Sequence, residues 1–288
     1  MRHRANRELV ESVSDHGDDW LIVAGDVGEQ AEHLTWTLDT LAPHFGRLLW
    51  VPGNHELWSR RKDTLRGVAR YEHLVDLCRE RGVDTPEDPW LVFPGDDGPR
   101  LVALLFLLYD YTFRPPGMDA DEGLRWAAAQ GIVCTDEMRL DARPHPSRPA
   151  WCAERLALTE ERLRNERPDL PRVLVNHWPL RRDLVRIPRV PRFLPWCGTE
   201  ATEDWHLRHG AEVVVSGHLH VRATDWRDGV RFEEVSLGYP TNWNPDLTLD
   251  DLLRPILPGP PRPTEAEPPP TWHALGGPRR RPRDEART

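Results

Sequence analysis

Four short polar segments hold the side chains of this sequence that could do chemistry, and each follows an apolar run. Gly25-Asp26-Val27-Gly28-Glu29 follows Trp20-Leu21-Ile22-Val23-Ala24, and Gly53-Asn54-His55-Glu56 comes after Leu48-Leu49-Trp50-Val51 and Pro52. Asn176-His177-Trp178 follows Arg172-Val173-Leu174-Val175, and Gly217-His218-Leu219-His220 comes after Glu212-Val213-Val214-Val215 and Ser216. Carboxylate oxygen, amide oxygen and imidazole nitrogen together suit divalent ions such as manganese, iron and zinc. Asp26, Asn54, His177, His218 and His220 are therefore candidate ligands, with glycines that let the backbone turn tightly beside them. Taken singly, each segment has an ordinary reading. Gly25-Asp26 fits a strand-to-loop turn, Gly53 to Glu56 a turn with Asn in the left-handed region, and Asn176-His177 a satisfied polar pair. The two imidazoles of His218-Leu219-His220 point the same way along an extended strand, but such a spacing also arises by chance among 13 histidines. The joint occurrence after four apolar runs is what carries weight.

Bringing four such segments together requires an open α/β sheet, in which loops at the carboxyl ends of strands converge on one crevice. The pattern of apolar residues supplies those elements. The four runs read as buried strands, and Leu101 to Leu108 reads as another. Leu34, Leu38 and Leu41 mark one helix face, and further helices are expected over 65–81, near 124–130 and over 151–167. Residues 222–226 and 230–235 flank Asp228-Gly229, a hairpin signal. The fold class expected is α/β with an antiparallel end, in one domain over residues 1–253. Residues 254–288 turn Pro-rich and end in Arg279-Arg280-Arg281-Pro282-Arg283, so they are expected to form a disordered tail.

Composition narrows the function classes. The chain has 288 residues and a net charge of -9, which argues against a protein that grips nucleic acid along a broad basic face. Leu101 to Tyr109, nine residues, is the longest apolar run, against the roughly 20 that a membrane-spanning helix needs. The N-terminal residues show no apolar signal-peptide core. Cys78, Cys134, Cys152 and Cys197 are far apart in the sequence, with no C-x-x-C pair, and read as free thiols in a reducing compartment. A soluble cytoplasmic protein is expected.

In this order the motifs resemble those of the calcineurin-like metallophosphoesterase superfamily: D-x-H, G-D-x-x-D/E, G-N-H-D/E, a single histidine after a strand, and G-H-x-H. Four of the five blocks stand between residues 25 and 220. The resemblance implies a β-sandwich flanked by helices (αββα). It also implies two divalent ions (Mn, Fe or Zn) that hydrolyse phosphomonoesters or phosphodiesters by attack of a metal-bridging hydroxide. By the same resemblance Asp26 bridges the ions, Asn54, His177 and His218 complete one site, and His220 belongs to the other. His55 becomes the general acid and Glu29 the carboxylate that orients it, while Glu56 either supports the ligands or finishes the turn. No D-x-H stands upstream of Asp26, so the first strand and first motif of the family are expected to be missing. The second site would then keep only Asp26 and His220. The competing reading is an N-terminally truncated, catalytically impaired homologue that acts as a binding or regulatory protein. A small phosphate ester is the expected partner, with nucleic acid and membrane disfavoured. Trp58, Tyr109-Asp110-Tyr111 and residues 112–148 are candidates for a cap over the substrate, or for core packing. Arg181-Arg182 is a candidate phosphate contact, or part of a solvated loop.

Overall fold

A computed structural model describes residues 4–238, 243–244, 246–265 and 267–273. The chain opens with α1 (Arg4–Glu11), β1 (Trp20–Val23), α2 (Ala31–Leu41), β2 (Arg47–Trp50), the single turn α3 (Asn54–Leu57) and α4 (Val68–Arg79). β1 and β2 pair in parallel, Trp20 opposite Arg47 through Val23 opposite Trp50. Because side chains alternate along a strand, Leu21, Val23, Leu48 and Trp50 pack towards α1, α2 and α4. Trp20, Ile22, Leu49 and Val51 face the other way, into a second apolar layer.

That second layer is built on the larger sheet. Its strands are β3 (Leu91–Phe93), β4 (Arg100–Leu104), β5 (Arg172–Val175), β6 (Ala211–Ser216), β7 (Ala223–Arg227), β8 (Val230–Glu234) and β9 (Thr271–Trp272). They lie in the order β3-β4-β5-β6-β8-β7-β9. The run β4-β5-β6-β8 is parallel, and the outer pairs are antiparallel. Between β4 and β5 stand α5 (Ala120–Ala128), α6 (Asp136–Arg139) and α7 (Arg148–Asn165), and α8 (Trp205–Arg208) precedes β6. Ser147 starts α7 by accepting from Ala150 N at 3.2 Å, with a proline in the first turn. Leu163 of α7 and Trp205 of α8 close the far side of the large sheet. The layers run helix, sheet, sheet, helix, the expected αββα arrangement.

The β7–β8 hairpin turns on Asp228 and Gly229, both at positive φ (54° and 78°), as its sequence signal required. Three differences from the sequence reading have physical causes. The strand expected over 101–108 leaves the sheet at Leu104, because the Asn176 side chain takes the Leu107 amide at 3.0 Å. The apolar run continues buried to Tyr109, so hydrophobicity did not show where pairing stopped. α6 was not foreseen, being one turn inside a Pro-rich stretch. The tail expected to be disordered from Arg254 is described as far as His273, and part of it packs on the domain. Arg254 bonds Glu233 at 2.9 Å and Thr224 at 2.6 Å, and Ile256 and Leu257 join the second core. β9 pairs with β7, and the His273 amide donates to Arg222 O at 3.0 Å. Residues 274–288, with the Arg-rich cluster, lie outside the described residues.

Among the described residues β1 pairs with β2 alone. Along its other edge runs a cavity of about 510 Å³, bounded by β1, Phe93, Val215 and residues 235–238. Asp26, His177, His218 and His220 also line it.

Candidate metal centre

The four polar segments do converge, and the backbone is forced into unusual shapes to let them. Asp26, His218 and His220 all sit at positive φ (59°, 73° and 55°), a region costly to residues with a Cβ and concentrated at functional sites. Gly25, at φ 83°, has no room for a side chain, since a Cβ would lie 2.5 Å from Gly53 N and 2.7 Å from His177 Nδ1. At Gly53 a Cβ would stand 2.2 Å from an Asp26 carboxylate oxygen. These two glycines allow the β1 and β2 loops to touch.

One donor atom from each of Asp26, His177 and His218 lies within 4.8 Å of the others. His177 Nδ1 stands 2.7 Å from Ala24 O, and a carbonyl only accepts, so a proton sits on Nδ1 and Nε2 is the nitrogen turned towards the site. That Nε2 is 3.4 Å from an Asp26 oxygen. Asn54 gives its Nδ2 to Asp136 at 2.9 Å, so its Oδ1 faces His218 Nδ1 at 3.3 Å as an acceptor. His218 therefore also keeps its proton on Nδ1, and its Nε2 and that of His177 are buried without hydrogen-bond partners. Two buried imidazole nitrogens without hydrogen-bond partners, a carboxylate and an amide oxygen, brought together, fit a divalent ion, whose binding would displace a proton from His177 Nε2.

The electrostatics agree with that reading. Burial opposes charge on Asp26, but His177 and His55 hold its carboxyl well below the usual range. His177 is penalised by burial too, yet Asp26 beside it raises its pKa to about 9. Burial, then the charge of His177, pushes His218 well below the ordinary imidazole value, so it stays neutral. A bound cation would take over the role that protonated His177 plays against Asp26.

The remaining expected residues divide. His220 lies outside the tight group of three but lines the same cavity. His55 donates its backbone N–H to Asp26 at 3.1 Å, and its Nε2 is 3.9 Å from the same carboxylate. Its ring packs on Trp58, with centroids 3.9 Å apart. The expected partnership of Glu29 with His55 is not made here. Glu29 contributes its main-chain carbonyl to Arg70 at 2.9 Å, and its carboxylate has no hydrogen bond or ion pair among the described residues. Arg181 and Arg182 are engaged by carboxylates, Asp183 at 2.9 Å and Glu200 at 3.6 Å, rather than held towards the metal group.

Two carboxylates prove central, one left open by the sequence and one that it did not single out. Glu56, left open between a support and a turn residue, is 1% exposed and accepts three main-chain amides: Asp26 at 2.9 Å, Val27 at 2.5 Å and Gly53 at 3.1 Å. It braces the Asp26 loop against the Asn54 loop. Asp136, on α6, takes Asn54 Nδ2 and also Trp58 Nε1, the latter at 2.7 Å. Only the G-N-H-E spacing pointed to Glu56, and nothing in the sequence pointed to Asp136.

A fold of two sheets between helices, with these side chains gathered at its strand ends, is that of a metal-dependent phosphoesterase. The calcineurin-like phosphoesterase family model matches residues 2–222, and the chain belongs to that family of phosphoric ester hydrolases. Among curated proteins, the [acyl-carrier-protein] phosphodiesterase PptH of Mycobacterium tuberculosis (strain ATCC 25618 / H37Rv) is 47% identical over 262 residues, covering 90% of this chain and 81% of that protein. The crystal structure of the phosphopantetheinyl hydrolase PptH from the same species superposes with a TM-score of 0.84 at 46% identity, covering 90% of this chain and 93% of that one.

Proposed function

We propose that this chain is a metal-dependent phosphodiesterase that hydrolyses the ester joining a phosphopantetheinyl group to an acyl carrier protein. The observation that carries it is the pair of buried imidazole nitrogens without hydrogen-bond partners beside Asp26, in a chain 47% identical to a phosphodiesterase of that kind. The substrate is then borne on a protein rather than being the free small ester that the sequence alone suggested. Asp26, Asn54, His177 and His218 hold one divalent ion, and His220, facing the same cavity, belongs to a second. Bound ions would supply an acidified water and offset charge on the phosphate oxygens. His55, partly exposed and backed by Trp58, gives the proton to the departing oxygen of the carrier. The four free, buried cysteines support the expected cytoplasmic setting. No helix among the described residues is long and apolar enough to cross a membrane.

The test is the intact mass of a phosphopantetheinylated carrier protein incubated with the chain and manganese. Loss of the phosphopantetheinyl mass, blocked by a chelator, is the expected result; an unchanged carrier would refute the assignment. A second reading, an impaired homologue that binds its partner without turning it over, is favoured by one observation. The tight group holds ligands enough for a single ion, with His220 outside it. Capture of the modified carrier with no release would select that reading.

A further inference from the structure

We propose that Asp136, on α6, is a positioning residue that fixes both the amide ligand and the general acid. The inference rests on the phosphodiesterase reading above. Asp136 is fully buried at 0% exposure, and its Oδ1 accepts from Asn54 Nδ2 at 2.9 Å and from Trp58 Nε1 at 2.7 Å. An indole N–H only donates, so Asp136 Oδ1 is an acceptor, and it selects one of the two orientations of the Asn54 amide. The Nδ2 group must face Asp136, which leaves Oδ1 facing His218, where it would be available to a bound ion. The flipped amide would present N–H donors to a cation. The same carboxylate oxygen anchors the indole on which His55 packs at 3.9 Å. One oxygen thus sets a ligand and the ring behind the acid.

Asp136 is itself held by a frame. Arg148 donates to the carbonyls of Asp136 and Leu140 at 3.1 and 3.0 Å and to Tyr111 Oη at 2.9 Å, and it pairs with Glu137. Trp196 Nε1 donates to Glu137 at 2.7 Å. The Ser59 amide donates to Arg139 O at 2.8 Å, and Trp58 bridges Leu140, so the strand-end loop and α6 are tied along their length. Residues 112–148, read as a cap or as core packing, thus touch Asn54 and Trp58 through the buried Asp136 carboxylate.

Three variants of the full chain test this: Asp136→Ala, Asp136→Asn and Trp58→Phe. Each is read by manganese affinity in equilibrium dialysis, kcat and KM on the phosphodiester, and Tm in chelator. Asp136→Ala is expected to weaken manganese about 10–100-fold, the range for losing a partner that orients a ligand, and to lower kcat with KM unchanged. Asp136→Asn keeps an oxygen that can accept from both donors, so it recovers most of the affinity. Trp58→Phe keeps the ring but loses the tether, and lowers kcat about tenfold or more with manganese affinity intact. A folded Asp136→Ala with unchanged manganese affinity overturns the inference, as does an Asparagine variant that binds manganese no better than the alanine one. An unchanged kcat in Trp58→Phe overturns the general-acid half, and this variant decides if Asp136→Ala does not fold. Wild-type chain that binds no manganese overturns the metal reading itself, whereas normal wild-type binding with an unaffected alanine variant overturns this inference alone.

Discussion

Asp26 is the side chain through which the others are coupled: it accepts from His55 N, lies 3.4 Å from His177 Nε2 and stands against the loop held by Glu56. Without metal, its charge is balanced chiefly by His177, whose pKa it raises to about 9 despite burial. The sign follows from linkage. A group whose folded pKa lies above its ordinary value, about 6.5 for histidine, stabilises the fold below that value and loses its contribution as pH rises through the folded pKa. In chelator, the Tm gap between wild type and His177→Asn is therefore expected to close from about pH 6.5 to about 9. A gap that widens with pH would contradict the assignment. Glu56→Ala leaves three main-chain donors unpaired in a buried site, at about 1–3 kcal/mol each. A melt should show a large Tm loss together with weakened manganese binding. His55→Ala should cut kcat about 10²–10⁴-fold with manganese affinity unchanged, which separates an acid from a ligand. At this scale the convergence of Asp26, Asn54, His177 and His218 was legible because their types and order are specific to one kind of chemistry. Glu29 and Asp136 show the limit. A carboxylate three residues beyond Asp26 need not reach His55, and one 82 residues from Asn54 can bond it.

The elements place these residues by ending where they do. Each of β1, β2, β5 and β6 runs out into a polar loop, and the Gly25–Gly53 contact lets two of those loops share one carboxylate. The strands were readable because each is a short apolar run stopped by glycine, proline or asparagine. The hairpin was readable because Asp228-Gly229 adopts the two positive φ angles its turn needs. Boundaries set by side-chain bonds from elsewhere were not readable, as at Leu104, where Asn176 replaces the neighbouring strand. The sheets also differ in their expected stability. β5 and β6 are flanked on both sides, whereas β1 is paired on one side and lies along the cavity on the other. Amides at β1 should exchange with deuterium well ahead of those at β5 and β6, as local openings follow the less supported elements. Equal protection in all three would contradict the described pairing.

At the scale of the whole molecule, two sheets and their helices form one scaffold whose strand ends meet, and the chain after β8 returns to fasten it. Glu233 is buried beneath Arg254 and Arg231, at 2.9 and 3.3 Å. Proline-rich composition concealed this, because the tail packs through isolated residues with no periodicity. Truncation after Leu253 removes Arg254 and uncovers the site of Ile256 and Leu257. It should cost on the order of 3 kcal/mol, about 6–12 °C in Tm for a chain of this size. An unchanged melt would show that the returning segment holds nothing. The claim on which everything else depends is that four strand ends assemble a metal centre. Manganese bound per chain, measured after dialysis against the ion and removal of the excess, tests it directly. One or more equivalents in the wild type, lost in Asp26→Ala, is the expected result. A wild-type chain that retains no manganese, or an Asp26→Ala chain that retains as much as wild type, would contradict it.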